Sequence, residues 1–206
     1  MVKKSTGNQR GRPKAFSIED ALYAAMCVFA GKGYESASLS DLTKAMGINR
    51  TSMYATFGNK EALFRKSLDF YVNENIKQME IFMAVPNVKE GIEQMLDFGV
   101  KMMTDPSSPG VCFITQSPIH GSDATAVTKE FFEYKRDTLH RMLKQRFEKA
   151  KADGELSEKT DPEDLAQFFF IVMQGIALQA QHGGTSEELT RAARVAINQW
   201  PKKIPS

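Results

Sequence analysis

Apolar residues recur along this chain with the three- and four-residue spacing of amphipathic helices, and no segment alternates strictly between apolar and polar residues. The spacing predicts helices over residues 16–34, 38–46, 50–57, 60–84, 88–104, 123–152, 161–181 and 186–200. One short apolar segment, residues 111–119, fits either a helix or a buried strand. The pattern therefore predicts an all-α fold.

Residues 38–60 contain two short predicted helices joined by a tight turn. Ser38 can cap the first helix, with Asp41 three places on in a capping-box arrangement. Gly47 stands where that helix must stop, because glycine adopts a positive φ without steric cost. Asn49 can cap the second helix. Such a pair is typical of the helix-turn-helix motif, although an ordinary helical corner with a solvated face has the same pattern.

The three helices around this turn each have a predicted inward face. The inward residues are Ile18, Leu22, Ala25, Met26 and Phe29 in the first helix, Leu42, Ala45 and Met46 in the second, and Met53, Tyr54 and Phe57 in the third. The outward residues of the third helix are Arg50, Thr51, Ser52 and Thr56. Short polar side chains with one arginine fit base edges and phosphates in a major groove.

The same stretch resembles the N-terminal domain of the tetracycline-repressor (TetR) family. The family pattern includes K-G-Y/F and A-x-x-x-G-[VI]-x-x-x-x-[LMI]-Y-x-[HYT]-F-x-x-K-E-x-L. The positions that match it are Gly47, Ile48, Met53, Tyr54, Thr56, Phe57, Lys60, Glu61 and Leu63, while Thr43 stands where the family has alanine. The match covers residues 12–68, and the rest of the chain resembles the family in length and helical rhythm. The resemblance implies a ligand-responsive transcriptional regulator, most often a repressor, and a short helix over residues 111–119.

Position in the motif implies a role for each DNA-facing residue. Arg50, Thr51, Ser52 and Thr56 are expected in the major groove. The residues expected at phosphates are Ser38, Ser40, Tyr54 (through its hydroxyl, with its ring packed inward) and Lys60. Because Ala55 and Thr56 stand where the family often has an aromatic residue and a histidine, the family's operator preferences do not transfer to this chain.

Charge is unevenly distributed along the chain. Residues 1–60 carry nine Lys/Arg and four Asp/Glu, a net of +5, and the remainder carries 18 and 21, a net of −3. A basic first third is the expected footprint of a protein that docks on DNA through one end. The predicted division is a flexible basic arm (residues 1–14), a DNA-binding domain (15–72) and a helical effector-binding and dimerisation domain (73–206). Arg10, Arg12 and Lys14 either bind DNA as an arm or belong to an inert tail.

Other classes of function find no support in the sequence. Phosphate loops, dinucleotide-binding fingerprints, HExxH and nucleophile elbows are absent, and the three histidines lack ligand spacing. We therefore predict no catalytic residues, no metal and no cofactor. No apolar run is long enough for a membrane span, and the basic N-terminus lacks a signal-peptide core, so we expect a cytoplasmic protein. An all-helical protein-interaction or adaptor module without specific DNA binding remains the alternative.

The helix predicted over residues 161–181 exposes more apolar surface than one domain is expected to cover, and the last predicted helix adds further apolar residues. We therefore predict a homodimer built from both helices of each subunit, and hence a near-palindromic duplex DNA operator. The predicted interface residues are Gly175, Ala177, Leu189, Ala193, Ala196 and Trp200. The alternative is that these residues belong to the subunit's own core.

A hydrophobic small-molecule effector is predicted to bind within the C-terminal domain, where methionine and phenylalanine form adaptable apolar walls. The predicted pocket residues are Phe98, Met102, Met103, Cys112, Phe113, Phe131, Tyr134, Phe169 and Met173. The alternative is that they fill a core. A ligand would act by shifting the helix over residues 60–84 and so changing the spacing of the two recognition helices.

Cys112 carries a separate hypothesis. It follows S-S-P-G at the start of an apolar segment, and a thiol at a helix N-terminus can have a lowered pKa. A reactive thiolate would sense electrophiles or oxidants. The alternative is a buried apolar cysteine, since no Lys or Arg lies close in sequence to stabilise a thiolate.

Overall fold

The computed structural model describes residues 17–105 and 124–201, without the side chains of residues 124–132 and 135. Across those ranges the chain is helical and has no strand, which confirms the all-α prediction. The helices are α1 (Ile18–Ser36), α2 (Leu39–Met46), α3 (Arg50–Phe57), α4 (Lys60–Met83), α5 (Val88–Thr104), α6 (Ala124–Ala152), α7 (Pro162–Gln181) and α8 (Ser186–Asn198). The segment 111–119 lies outside the described residues.

Short polar side chains start most of these helices. Each accepts a hydrogen bond from a backbone N–H two or three residues further on, which satisfies a donor that the first helical turn leaves unpaired. The predicted caps Ser38 and Asn49 are confirmed, and Ser17, Asn59, Asn87, Asp161 and Thr185 cap their helices in the same way. Replacing one such cap with alanine typically costs about 1 kcal/mol.

A first hydrophobic cluster joins α1, α2, α3 and the first half of α4. At its centre the rings of Phe29 and Phe64 meet edge to face, with centroids 5.0 Å apart. Three of the predicted inward positions are wrong, namely Ile18, Ala45 and Tyr54, the last of which is described with the DNA-binding surface below. Ile18, in the first turn of α1, is 54% exposed, and Ala45 is exposed on α2.

A second, larger cluster joins the second half of α4 to α5, α6, α7 and α8. Phe147 of α6 and Phe169 of α7 are fully buried, and both rings pack against Trp200 beyond α8. The two clusters meet along α4. This single helix contributes Leu63 and Leu68 to the first cluster and Met79 and Phe82 to the second, so it connects them mechanically.

A buried arginine fixes the corner between α4 and α5. Arg146 of α6 donates hydrogen bonds to the carbonyl oxygens of Val85 and Pro86, at 3.1 and 3.0 Å, and pairs with Glu155 at 3.4 Å. Glu155 in turn accepts a hydrogen bond from the N–H of Val88 at 2.8 Å. The C-terminal end of α4 is therefore held in place by residues that lie about sixty positions later in the sequence.

Candidate DNA-binding surface and effector cavity

Local hydrogen bonds define the ends of α2 and α3. Asp41 N–H donates to Ser38 Oγ at 3.1 Å, and Ser38 N–H donates to Asp41 Oδ2 at 3.1 Å, which completes a capping box. Gly47 ends α2 with φ of 66° in the left-handed region, as its place in the sequence predicts. Asn49 then accepts a hydrogen bond from Ser52 N–H at 2.8 Å. These bonds fix where α2 begins and ends and where α3 begins.

One face of α3 is buried and the other is open. Met53 and Phe57 are buried in the first cluster. On the opposite side Arg50 and Thr51 are exposed, and Ser52 and Thr56 are half-exposed. The structure thus brings the four predicted major-groove residues onto the accessible side of one short helix.

Tyr54 differs from its prediction. Its side chain is 48% exposed instead of packed inward, because Met53 and Phe57 already fill the space between α3 and α4. The hydroxyl group therefore lies on the accessible side of α3.

Ser38 also differs from its expected role. Its hydroxyl group donates to Asp41 Oδ2 at 2.7 Å, and its N–H donates to the same oxygen, so both of its donors are already engaged in the capping box. A phosphate oxygen needs a donor, and Ser38 has none free. Ser40 remains exposed one residue into α2.

Lys60 lies at the first position of α4 and is half-buried. Its Nζ donates to the carbonyl oxygen of Glu35 at 3.2 Å and lies 4.6 Å from the centroid of the Tyr34 ring. Burial, followed by the charges of Glu61 and Glu35, raises the pKa of Tyr34, so the ring is uncharged beneath the ammonium group. Because an ammonium group has three N–H donors, Lys60 can bind a phosphate while it keeps its hydrogen bond to the Glu35 carbonyl.

A cavity of about 370 Å³ lies between the two clusters. Its lining residues are Tyr23 and Met26 of α1; Phe70, Tyr71, Glu74, Asn75, Gln78, Met79 and Phe82 of α4; Met95, Leu96, Phe98, Gly99, Met102 and Met103 of α5; Leu139 of α6; and Phe170, Met173, Gln174, Ile176 and Ala177 of α7. The sequence-based prediction placed the pocket within the C-terminal domain. The structure places it at the junction instead, because α1 and the first half of α4 form one of its walls.

The predicted pocket residues separate into three groups. Phe98, Met102, Met103 and Met173 line the cavity. Two do not: Phe169 is fully buried against Phe147 and Trp200, and Tyr134 is exposed on α6 away from the lining. Cys112 and Phe113 lie outside the described residues, as does the side chain of Phe131.

Polar groups in the cavity wall were missed by the sequence reasoning. The amides of Gln78 and Gln174 have no hydrogen-bond partner among the described residues, although each lies within an apolar wall. The available signal was Gln174 itself, a polar residue inside the apolar run FFFIVMQGIAL. Burial, with a smaller contribution from its hydrogen-bond partner Cys27, raises the pKa of Tyr23, so its phenol is neutral at physiological pH.

The predicted dimer residues are mostly covered within one subunit. Leu189, Ala193 and Ala196 are buried in the second cluster, Ala177 is buried on α7, and Trp200 packs against Phe147 and Phe169. Helical periodicity places these residues on an apolar helix face, but it does not show whether the subunit's own core or a second subunit covers that face. Gly175 is exposed on α7, with nothing within 4 Å of a Cβ added there.

A different set of apolar residues is exposed on these two helices. Phe168, Ile171 and Leu178 follow helical spacing along one face of α7 that includes Gly175, and Val195 is exposed on α8. Contiguous exposed apolar residues are typical of a surface that contacts another protein.

The described residues contain no cluster of three or more His, Cys, Asp or Glu side chains suited to a metal ion. None of the described helices is long and apolar enough to span a bilayer.

Two family models match the chain. The model of the bacterial regulatory proteins of the tetR family matches residues 21–66, and the model of the tetracyclin repressor-like C-terminal domain matches residues 89–196. The HTH-type transcriptional repressor ComR of Escherichia coli (strain K12) is 33% identical over 210 residues, covering 98% of this chain and 96% of ComR. The uncharacterized HTH-type transcriptional regulator YezE of Bacillus subtilis (strain 168) is 34% identical over 160 residues, covering 77% of this chain and 82% of YezE.

A solved structure extends the similarity to three dimensions. A cysteine mutant of the TetR family transcriptional regulator CifR, complexed with 26-bp double-strand operator DNA, has a TM-score of 0.82 and 34% identity. The similarity covers 92% of this chain and 100% of that chain. The chain belongs to the TetR family and is a DNA-binding transcriptional regulator. Its relatives are transcriptional regulators, which is a non-enzymatic role.

Proposed function

We propose that this regulator is a cytoplasmic repressor that binds a near-palindromic operator as a homodimer and is released by a small apolar effector. The cavity carries this proposal, because its walls include α1 and α4 of the helix-turn-helix cluster together with α5 and α7. A ligand there touches the DNA-binding part and the C-terminal part at once. It shifts the equilibrium between DNA-bound and released states only if its affinity for the two states differs.

For DNA recognition we propose that Arg50, Thr51, Ser52 and Thr56 read the major groove. Ser40, Tyr54 and Lys60 bind phosphates. We keep the division into an arm (residues 1–14), a DNA-binding domain (15–72) and an effector-binding and dimerisation domain (73–206). Arg10, Arg12 and Lys14 belong to the arm. The two faces of α3 support the first assignment, since its polar face is accessible while Met53 and Phe57 hold the helix from behind. Ser38 keeps its structural role as a cap.

Selection from random duplexes, followed by fluorescence anisotropy, tests the DNA assignment. Arg50→Ala is expected to cost roughly 1–3 kcal/mol of binding free energy and to relax base choice at one position. Lys60→Ala is expected to weaken all duplexes alike, because a phosphate contact carries no sequence information. Lys159→Ala, which removes an exposed lysine in the loop before α7, is the matched control. Unchanged affinity and sequence preference for Arg50→Ala would show that α3 is not the recognition helix.

For dimerisation we propose the exposed face of α7 formed by Phe168, Ile171, Gly175 and Leu178, extended by Val195 of α8. A twofold axis pairs each face with its copy, and the exposed Gly175 allows close approach of two helices. Ile171→Lys is expected to shift the protein towards monomer in analytical ultracentrifugation. The control is Ile81→Lys on α4, where the wild-type isoleucine is 60% exposed against 56% for Ile171. A dimer that survives Ile171→Lys, or is equally lost with Ile81→Lys, contradicts this assignment.

The hypothesis of a reactive effector at Cys112 has its own test. Burial raises the pKa of Cys27, which keeps that thiol protonated and poorly reactive. Release of operator DNA by N-ethylmaleimide is therefore expected in wild type and Cys27→Ser, and not in Cys112→Ser. If Cys112→Ser is released as readily as wild type, Cys112 is not a sensor and a reversible apolar effector is the better account.

A further inference from the structure

The lining of the cavity between the clusters is almost entirely uncharged. Among the described residues that line it there is no Lys, Arg or His, and Glu74 supplies the lining's one carboxylate. Glu74 lies at an exposed edge and pairs with Lys77 at 2.6 Å. The remaining polar groups are neutral: two tyrosine hydroxyls and the amides of Asn75, Gln78 and Gln174.

Two of these amides have no hydrogen-bond partner among the described residues. Asn75 Nδ2 donates to the carbonyl oxygen of Tyr71 at 2.7 Å, whereas Gln78 of α4 and Gln174 of α7 have no partner in the described part of the chain. Both glutamines are half-buried, and they come from different walls of the cavity. A half-buried amide without a partner loses part of its hydration, so a ligand that offers a hydrogen bond to it recovers that loss.

The volume limits the size of the ligand. An apolar cavity of roughly 150 Å³ accommodates a benzene ring. The cavity here has about 370 Å³, and the phenylalanine and methionine side chains in its walls suit aromatic or branched aliphatic groups. The space therefore accepts a molecule of about two fused rings with a small polar substituent.

The charge of the ligand follows from the lining. An anion that enters loses its hydration, meets no cationic side chain among the described lining residues, and lies in the same cavity as Glu74. A neutral hydrogen-bonding ligand avoids this penalty and can satisfy the glutamine amides. A cation gains little from Glu74, because Lys77 already neutralises it.

We propose that the effector of this cavity is an uncharged molecule of about two fused rings with an amide-like or hydroxyl group, held by Gln78 and Gln174, and that carboxylates of the same skeleton are excluded. The inference rests on the proposed function, since it names the chemical class of ligand that the proposed effector site takes. In addition, the proposal states that the preference for a neutral ligand depends on the amides of Gln78 and Gln174 in an otherwise apolar wall.

A matched set of naphthalene derivatives tests the proposal. Binding of 2-naphthamide, 2-naphthylmethanol and 2-naphthoate to the full-length protein is measured by isothermal titration calorimetry at neutral pH. The amide and the alcohol are expected to bind at least about tenfold more tightly than the carboxylate, because only the carboxylate carries a charge into the cavity. Gln78→Leu and Gln174→Leu are each expected to weaken 2-naphthamide about fivefold or more, while 2-methylnaphthalene binds as well as before or better.

Gln145→Leu, at an exposed position of α6, is the control and should change none of these affinities. Equal affinity for carboxylate and amide would overturn the proposal, as would unchanged amide binding in both glutamine variants or failure of every neutral member to bind at millimolar concentration. Operator binding is followed separately by anisotropy. If the amide binds selectively but does not release DNA, the proposed effector function fails while the ligand class stands.

Discussion

The helix-turn-helix and the corner between α4 and α5 are held by hydrogen bonds of different reach. Around the helix-turn-helix, Ser38 with Asp41, and Asn49 with Ser52, bond three residues apart. In the second cluster, Arg146 and Glu155 bond backbone groups 60 to 67 positions earlier in the chain. The first region, the helix-turn-helix, is thus specified locally. The second region, α5 to α8 with the corner at the end of α4, depends on contacts between distant segments, and α5 and α7 line most of the cavity away from α4, so ligand-driven rearrangement is expected there.

The largest expected effect comes from the long-range core. Phe147→Ala removes a fully buried ring that packs against Phe169 and Trp200, and should lower the free energy of unfolding by about 3–5 kcal/mol. Urea denaturation measures the total loss. In native-state hydrogen exchange, amides of α5 to α8 should lose more protection than those of α2 and α3. An equal loss throughout would mean that the two regions unfold as one unit.

The buried arginine gives the next largest effect. Arg146→Ala leaves the carbonyls of Val85 and Pro86 without their donor and Glu155 without its cation, and should cost about 2–3 kcal/mol. Arg141→Ala, five residues earlier on the exposed side of α6, should change stability by less than about 0.5 kcal/mol. Chemical denaturation of both variants makes the comparison. Similar losses would show that the corner between α4 and α5 does not depend on Arg146.

A smaller effect is expected at the turn of the first region. Gly47→Ala places a Cβ at a φ of 66°, where there is open space but an unfavourable backbone conformation, and should cost about 1–2 kcal/mol. Gly99→Ala in α5 also meets nothing within 4 Å but has ordinary helical geometry, and should stabilise the fold by up to about 1 kcal/mol. Thermal unfolding distinguishes the two, and a loss at both sites would contradict the conformational explanation.

The smallest effect depends on pH. Hydrogen bonds from Lys32 and Ser38 lower the pKa of Asp41 from its usual 3.8 to about 2. Because the folded-state pKa is the lower one, the stabilisation is complete above about pH 4 and is lost as the pH falls through about 2. The stability difference between wild type and Asp41→Asn should therefore shrink between these values. A difference that does not change over this range would show that the hydrogen bonds of the half-exposed Asp41 do not persist in solution.

The first region could largely be predicted from the sequence, because its signals act over three or four residues. Ser38 and Asn49 cap α2 and α3 through their side chains, and Gly47 ends α2 because it has none. These effects do not depend on distant parts of the chain. The errors there, such as Tyr54, concern which of several apolar residues fills a limited space.

In the second region the helices could be predicted from the sequence, but which of their apolar faces are buried could not. Periodicity shows that Phe169, Leu189 and Ile171 are apolar, but it does not show that the first two pack in the subunit's own core while the third is exposed. Which neighbour covers an apolar face depends on packing between distant segments. For the same reason, the sequence does not predict that Tyr23 lines the cavity, because its pattern places α1 in the DNA-binding domain alone.

The length of α4 has a geometric consequence. With 24 residues at about 1.5 Å each, this helix is about 36 Å long and is rooted in both clusters. A tilt of about 5° at the cavity end would displace the far end by about 3 Å, close to the spacing of roughly 3.4 Å between successive bases on a DNA strand. A movement small enough to fit inside a side-chain cavity is therefore enough to put a recognition helix out of register with its half-site by about one base pair.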